Sequence, residues 1–318
     1  MSDAMIRRAS LVLRLITIFL ALPSLATLAV DRKPPAHPSS EEDVYLKEIQ
    51  KWRAERLEEI NGEDGWTTLV GLFWLNEGQN KFGSDRSNDI VLPRNRSPKL
   101  AGSVNLSKGV VHLEARPDAG ITHDGIHAGS LVLQTDATGK PTILKMGSIT
   151  FFVIKRGEKF GLRVKDKLNP ARTRFAGLDY FPFDLKWRFE AKFEPYNPPK
   201  IVPIANVLGM VENMTSPGAL VFEMNGITYR LDPVLEKGSK QLFIIFADKT
   251  TGKQTYGAGR YLYAEPADAA GKVVVDFNKA HNPPCAFTKF ATCPLPPHQN
   301  RLAIQIDAGE KKYMGSGH

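Results

Sequence analysis

Leu242-Phe-Ile-Ile-Phe-Ala-Asp248, Lys249-Thr-Thr-Gly-Lys-Gln254, Tyr256-Gly-Ala-Gly-Arg-Tyr-Leu-Tyr-Ala264, Pro266-Ala-Asp-Ala-Ala-Gly271 and Lys272-Val-Val-Val-Asp276 follow one another along the chain. Short runs rich in β-branched and aromatic residues alternate with turn-forming Gly, Pro and Asp, which is the pattern of strands and tight connections. The reading predicts an antiparallel meander of three strands, the first of them fully buried. Asp248 and Asp276 then leave the same end of the sheet, about 10 Å apart at ~4.8 Å per strand. Arg260 shares a face with Tyr256 by two-residue alternation. Paired acids near that separation suit an acid–base hydrolase of the inverting glycosidase kind. Asp at a strand end also caps turns. Arg260, among apolar neighbours, needs a carboxylate, and these two acids are the nearest.

Downstream, Asp276-Phe-Asn-Lys-Ala-His-Asn-Pro-Pro-Cys285 runs on through Cys293-Pro-Leu-Pro-Pro297 without helical or alternating periodicity. This segment should fold over the strand ends as a rim. It contains both cysteines of the chain. A close pair in an exported protein reads first as a Cys285–Cys293 disulfide. A zinc set of His281, Cys285, Cys293 and His298 and a pair of reduced thiols are the rival readings; neither a metal nor a cofactor is expected.

Upstream, Ala219–Met224 and Ile227–Leu231 flank Asn225-Gly226, a hairpin turn signal. Further back lie Asn80–Ser84, Asn88–Leu92, Gly109–Glu114, Ser130–Leu133, Ser148–Ile154 and Phe160–Val164, bounded by turn residues at the spacing of a β-sandwich. Trp66-Thr-Thr-Leu-Val-Gly-Leu-Phe-Trp-Leu75 reads as core, with a sugar-stacking platform as the alternative. The order Phe82-Gly-Ser84, Asn88-Asp-Ile-Val-Leu-Pro93, Gly147-Ser and Phe152 resembles a forkhead-associated sandwich. Ser84 stands where such domains carry an Arg, and no Ser-x-x-His follows Leu92, so the resemblance implies architecture without phosphothreonine binding.

Ahead of the strands, Ser40 with Glu41-Glu42-Asp43 starts one helix, which Val44, Ile49, Trp52 and Leu57 stripe and Asn61-Gly62 ends. Arg53 and Arg56, one turn apart, read first as solvated charges, with the alternative that they face the domain behind the helix. Residues 1–29 have the basic, apolar and small-residue order of an export signal, leaving no membrane span once removed. The chain is thus mainly β: a signal (1–29), a tether and helix (30–64), a β-sandwich module (65–165) and a C-terminal β module (178–314) after an irregular seam. The net charge is +8, of which the signal holds +2. The remaining basic residues are interspersed with acids, unlike the clustered face of a nucleic-acid binder.

Thr255–Tyr263, Asp276–Phe287, Ala291–Pro297, Asn300-Arg-Leu302 and Ala308-Gly-Glu-Lys311 together resemble the domain of unknown function 1684 family. Trp66, Gly71–Leu75 and Phe82–Ser84 are similar to its N-terminal signature, so the resemblance spans essentially the whole mature chain. The family more often has Tyr at position 281. The resemblance implies no activity, only that the polar residues of the C-terminal motif belong together. From the residues, the expected function is binding of a small polar or carbohydrate-like ligand outside the cytoplasm. Tyr256, Arg260, Asn278, Asn282 and Asn300 would bind it. A hydrolase using Asp248 and Asp276 and a structural or protein-interaction module are the alternatives.

Overall fold

Alternation along the hairpin Ile149–Arg156 and Lys159–Asp166 organises the N-terminal half of the computed structural model, which describes residues 40–315. Phe151, Val153, Leu162 and Val164 point into one core, while Phe152, Arg156 and Arg163 lie on the opposite face. The hairpin belongs to a six-stranded sheet that begins with Leu69–Trp74 beside Lys159–Asp166. A five-stranded sheet built around Gly78–Gly83, Gly102–Ser107 and Val110–Ala115 supplies Phe82, Val104 and Leu113 to the same core. Strand outweighs helix, 43% against 17%, which places the chain among mainly β proteins. The expected export segment and tether, up to residue 39, lie outside the described residues.

The C-terminal half curls a seven-stranded sheet into a half-barrel. Its long strands Arg188–Ala205 and Val211–Met224 pair antiparallel, and Asn225-Gly226 turns the latter into Ile227–Leu231 with both residues at positive φ. Leu242–Phe246 is buried on both faces: Leu242, Ile244 and Phe246 enter the barrel core, and Phe243 and Ile245 enter a second core outside it. That two-sided covering is why the run is continuously apolar.

The meander is corrected by the pairing. Leu242–Phe246 and Arg260–Ala264 are neighbours, but Lys272–Asp276 pairs with Arg188–Ala205 at the other edge of the sheet. The 18-residue strand Arg188–Ala205 leaves a free edge for it, with Arg188 opposite Asp276 and Lys192 opposite Lys272. Curling then brings Arg260–Ala264 and Lys272–Asp276 back near each other without a shared ladder.

The helix Ser40–Asn61 lies against this module along a stripe different from the apolar one expected. Val44 and Leu57 are exposed, 67% and 46%, whereas Tyr45, Ile49, Arg56 and Ile60 are buried. Those four are spaced by helical turns; Ile60 packs on Ala286 and Phe287, while Tyr45 and Arg56 meet polar groups. The Tyr45 hydroxyl donates to both oxygens of Asp276 at 2.9 Å. Arg56 donates from Nε to Glu310 at 2.9 Å and from Nη2 to the Asn282 carbonyl at 2.6 Å. The expectation of a solvated Arg56 is therefore wrong, because Glu310 waits at 0% exposure to pair with it.

Stranding one member of a buried ion pair is far costlier than trimming a surface residue. Glu310→Gln should lower the free energy of urea unfolding by about 3 kcal/mol. Val44→Ser and Leu57→Ser should each change it by less than about 0.5 kcal/mol. Equal losses for all three would show that the helix is anchored by its apolar side chains.

Candidate functional site

The polar residues of the C-terminal motif mostly bond to backbone. Asp276 ends its strand and accepts from the Asn278 N–H and side-chain amide at 3.1 Å as well as from Tyr45. Burial holds its carboxyl above the ordinary range, and the bonds from Tyr45 and Asn278 oppose the rise. Asn278 also exchanges bonds with the main chain of Asp184 at 3.0 and 3.1 Å. Asn300 accepts from the Asp232 N–H and donates to the carbonyls of Asp232 and Ile245. Asn282 donates to the Lys311 carbonyl at 2.8 Å.

Asp248 serves a second cluster. It accepts from Arg260 Nη2 at 3.3 Å, from the Ile306 N–H at 2.8 Å and from the hydroxyls of Thr250 and Thr251. Arg260, 1% exposed, also donates to the carbonyls of Ile306 and Ala308. Burial lowers its pKa against the pull of Asp248. Arg260 thus takes Asp248 as its counter-ion, and Asp276 is engaged by the helix.

The cysteines also depart from expectation. They are not joined by a disulfide; the Cys285 N–H donates to Cys293 Sγ at 3.1 Å. Hydrogen bonding from Cys293 lowers the Cys285 thiol, while burial raises that of Cys293. Noncovalent ties hold the loop: the Tyr256 hydroxyl donates to the Cys285 carbonyl at 3.0 Å and the Tyr261 hydroxyl to the Pro294 carbonyl at 2.8 Å. Among the described residues, no group of three or more His, Cys, Asp and Glu side chains is placed to hold a metal ion.

A cavity of about 480 Å³ lies on the other side of this loop. The helix contributes Trp52, Glu55, Arg56 and Glu59. The outer face of the sandwich contributes Arg156 and Arg163, with Trp66 beside them, and the half-barrel's outer face contributes Phe243, Tyr261 and Tyr263. His281, Thr292 and Cys293 close it from the motif segment. None of Asp248, Tyr256, Arg260, Asp276, Asn278, Asn282 and Asn300 lines it. The alternation that sends Leu262 and Ala264 into the barrel turns Tyr261 and Tyr263 outward. Tyr263 stacks on Phe243 with centroids 4.8 Å apart, and on His281 at 6.0 Å. Trp52 lies 6.0 Å beyond His281, completing an aromatic wall.

The opposite wall is cationic. Arg163 is 6% exposed, between the Trp66 ring at 5.5 Å and the Phe152 ring at 5.9 Å. Burial first, and then the neighbouring Arg156, push its pKa down to about 10. Arg156 is itself tied to Asp136 at 2.7 Å and to the Thr292 hydroxyl at 3.1 Å. Reading the sequence missed this wall. The available signal was an Arg in the middle of Phe160-Gly-Leu-Arg-Val164, and Trp66 proves a cavity wall as much as a core residue.

His281 supplies a pH test of the aromatic wall. Burial, and then the Arg56 charge, hold its pKa well below the ordinary 6.5, so the folded ring stays neutral. A depressed histidine pKa gives stability that is present above about pH 6.5 and lost as pH falls, because the unfolded chain takes up the proton first. Stability should fall between pH 7 and 5.5 by up to about 1.4 kcal/mol per unit. His281→Tyr should flatten that slope in denaturant titrations; an unchanged slope would remove His281 from the account.

Residues 173–311 match the model of a family described as "Protein of unknown function (DUF1684)". The match is confined to the C-terminal half, so the resemblance expected across the N-terminal module is corrected to these residues. No curated protein matches the chain. A solution NMR structure of an uncharacterized protein from gene locus rrnAC0354 of Haloarcula marismortui is 33% identical. The alignment covers 45% of this chain and 80% of that one, with a TM-score of 0.38. Over residues 173–311, then, the chain is similar to the DUF1684 family.

Proposed function

We propose that the protein binds a small polar, carbohydrate-like ligand in the cavity between the helix, the sandwich and the half-barrel, and that it does so as an exported protein. The observation that carries this reading is the aromatic wall of Phe243, Tyr263, His281 and Trp52 facing a charged wall across about 480 Å³. Small-molecule sites are concavities of that size, with aromatic surface for area and a few polar groups for orientation. Flat polar rings stack on such surfaces, and the rim acids Glu55, Glu59 and Glu236 accept hydrogen bonds from hydroxyl groups. The motif's amides and acids act beneath the cavity by holding the loop that forms its floor.

A thermal-shift and tryptophan-fluorescence screen of monosaccharides, disaccharides and sugar acids tests the reading. At least one compound should bind saturably. Tyr263→Ala should weaken it about tenfold, the worth of an aromatic contact at the upper end of its usual range. Because Tyr263 is 38% exposed, that variant should melt within a few degrees of wild type. A complete panel without response, or ligand binding indifferent to Tyr263, would overturn the cavity as the site.

A further inference from the structure

Arg163 is buried without a counter-charge. It makes no hydrogen bond and no ion pair among the described residues; its Nε, like that of Arg260, is buried without a partner there. The other two buried arginines differ. Arg56 is held by Glu310, Glu59 and the Asn282 carbonyl, and Arg260 by Asp248 and two carbonyls. The nearest acid, Asp136, is committed to Arg156 and to the Lys155 N–H. Trp66 and Phe152 give the guanidinium π-faces, which attract the charge but offer no lone pair to its N–H groups. A buried cation left so is costly unless something pairs with it.

The surroundings supply donors and lack an acceptor. Arg163 stands opposite Phe152 in the hairpin register, and Phe152 shares a strand and, by two-residue alternation, a face with Arg156, so both guanidinium groups project from one sheet face. Arg156 uses Nε and Nη1 within the protein, and its Nη2 has no bond among the described residues. Thr292 accepts from Arg156, which leaves its own hydroxyl proton for another oxygen. All three side chains line the cavity.

We propose that this end of the cavity is an oxyanion subsite, and that the ligand carries a carboxylate or phosphate received by Arg163, with Arg156 and Thr292 beside it. The inference rests on the reading of the cavity as the ligand site and adds the ligand's charge. A planar guanidinium fork matches either oxyanion in bidentate fashion, and such charge-assisted bonds are the strong ones.

The full chain is titrated, at constant ionic strength against chloride, with inorganic phosphate, glucose, glucuronate and glucose 6-phosphate, following the melting temperature and tryptophan fluorescence. Phosphate and at least one of the two anionic sugars should bind saturably, the anionic sugar at least tenfold more tightly than glucose. The preferred sugar distinguishes a carboxylate site from a phosphate site. Arg163→Met should lose at least tenfold in affinity for the anions while melting no lower than wild type in chloride. Arg163→Lys keeps the charge without the fork and should fall between the two. Glucose binding as well as its acids would overturn the subsite and leave the cavity reading intact; a response to no probe would overturn both. Unchanged anion affinity in Arg163→Met would overturn the subsite. If that variant does not fold, unchanged affinity in Arg163→Lys would do the same.

Discussion

The described residues after Asp276 form turns and isolated bridges but no strand, and yet much of the segment is buried. Buried backbone groups must find partners, and here no ladder provides them. Side chains that imitate backbone do so instead. Asn carries an acceptor and a donor on one short stem, and Asn278 and Asn300 each use both to pair with main chain of a distant segment. Asn282 and Asp248 do half of the same work. These four side chains thereby act largely as substitutes for missing strand pairing.

The same constraint explains why the charged residues are buried. The tail from Ile306 to Lys311 passes between two arginines: Arg260 takes the carbonyls of Ile306 and Ala308 from one side, and Arg56 takes Glu310 from the other. Gly309 sits between them at φ +76°, where an added Cβ would lie 2.3 Å from the Ala280 carbonyl oxygen. The close approach demands glycine, and it places Glu310 where the helix can reach it. Burial pushes the Glu310 carboxyl up, while Arg56 pulls it down. Helix, tail and motif are therefore one polar assembly; weakening any of them leaves a buried charge without its partner.

Much of this was legible. The β-rich runs, the Asn-Gly hairpin and the continuous apolar run of Leu242–Phe246 carry period and turn chemistry that short-range rules capture. The end of the helix at Asn61 was likewise visible. Pairing of Lys272–Asp276 was not, because strand order depends on which distant edge is free. Nor was the buried stripe of the helix, since Tyr45 and Arg56 are polar and become interior only by meeting Asp276 and Glu310. The sequence reading emphasised residues that the structure uses to hold the motif segment in place. His281 and Cys293, weighed there as metal ligands or a disulfide half, are the ones that reach the cavity.

The division of labour follows from the two faces of each strand. In Arg260–Ala264, Leu262 and Ala264 close the barrel while Tyr261 and Tyr263 turn to the cavity. In Lys159–Asp166, Leu162 and Val164 close the sandwich while Arg163 turns to the same cavity. An outer strand face would ordinarily be solvated, and a charge there would need no partner. Docking of the C-terminal module removes the water from Arg163 and returns no carboxylate. An aliphatic residue at that position would pack against Trp66 and Phe152 without the cost of desolvation. Arginine is thus the wrong choice for stability alone, and uncompensated costs of this kind mark functional positions rather than scaffold ones. The motif residues are bonded at most of their polar atoms, Arg260 Nε and Asn282 Oδ1 excepted, whereas Arg163 has no hydrogen bond among the described residues, and that contrast supports the proposed reading of the cavity.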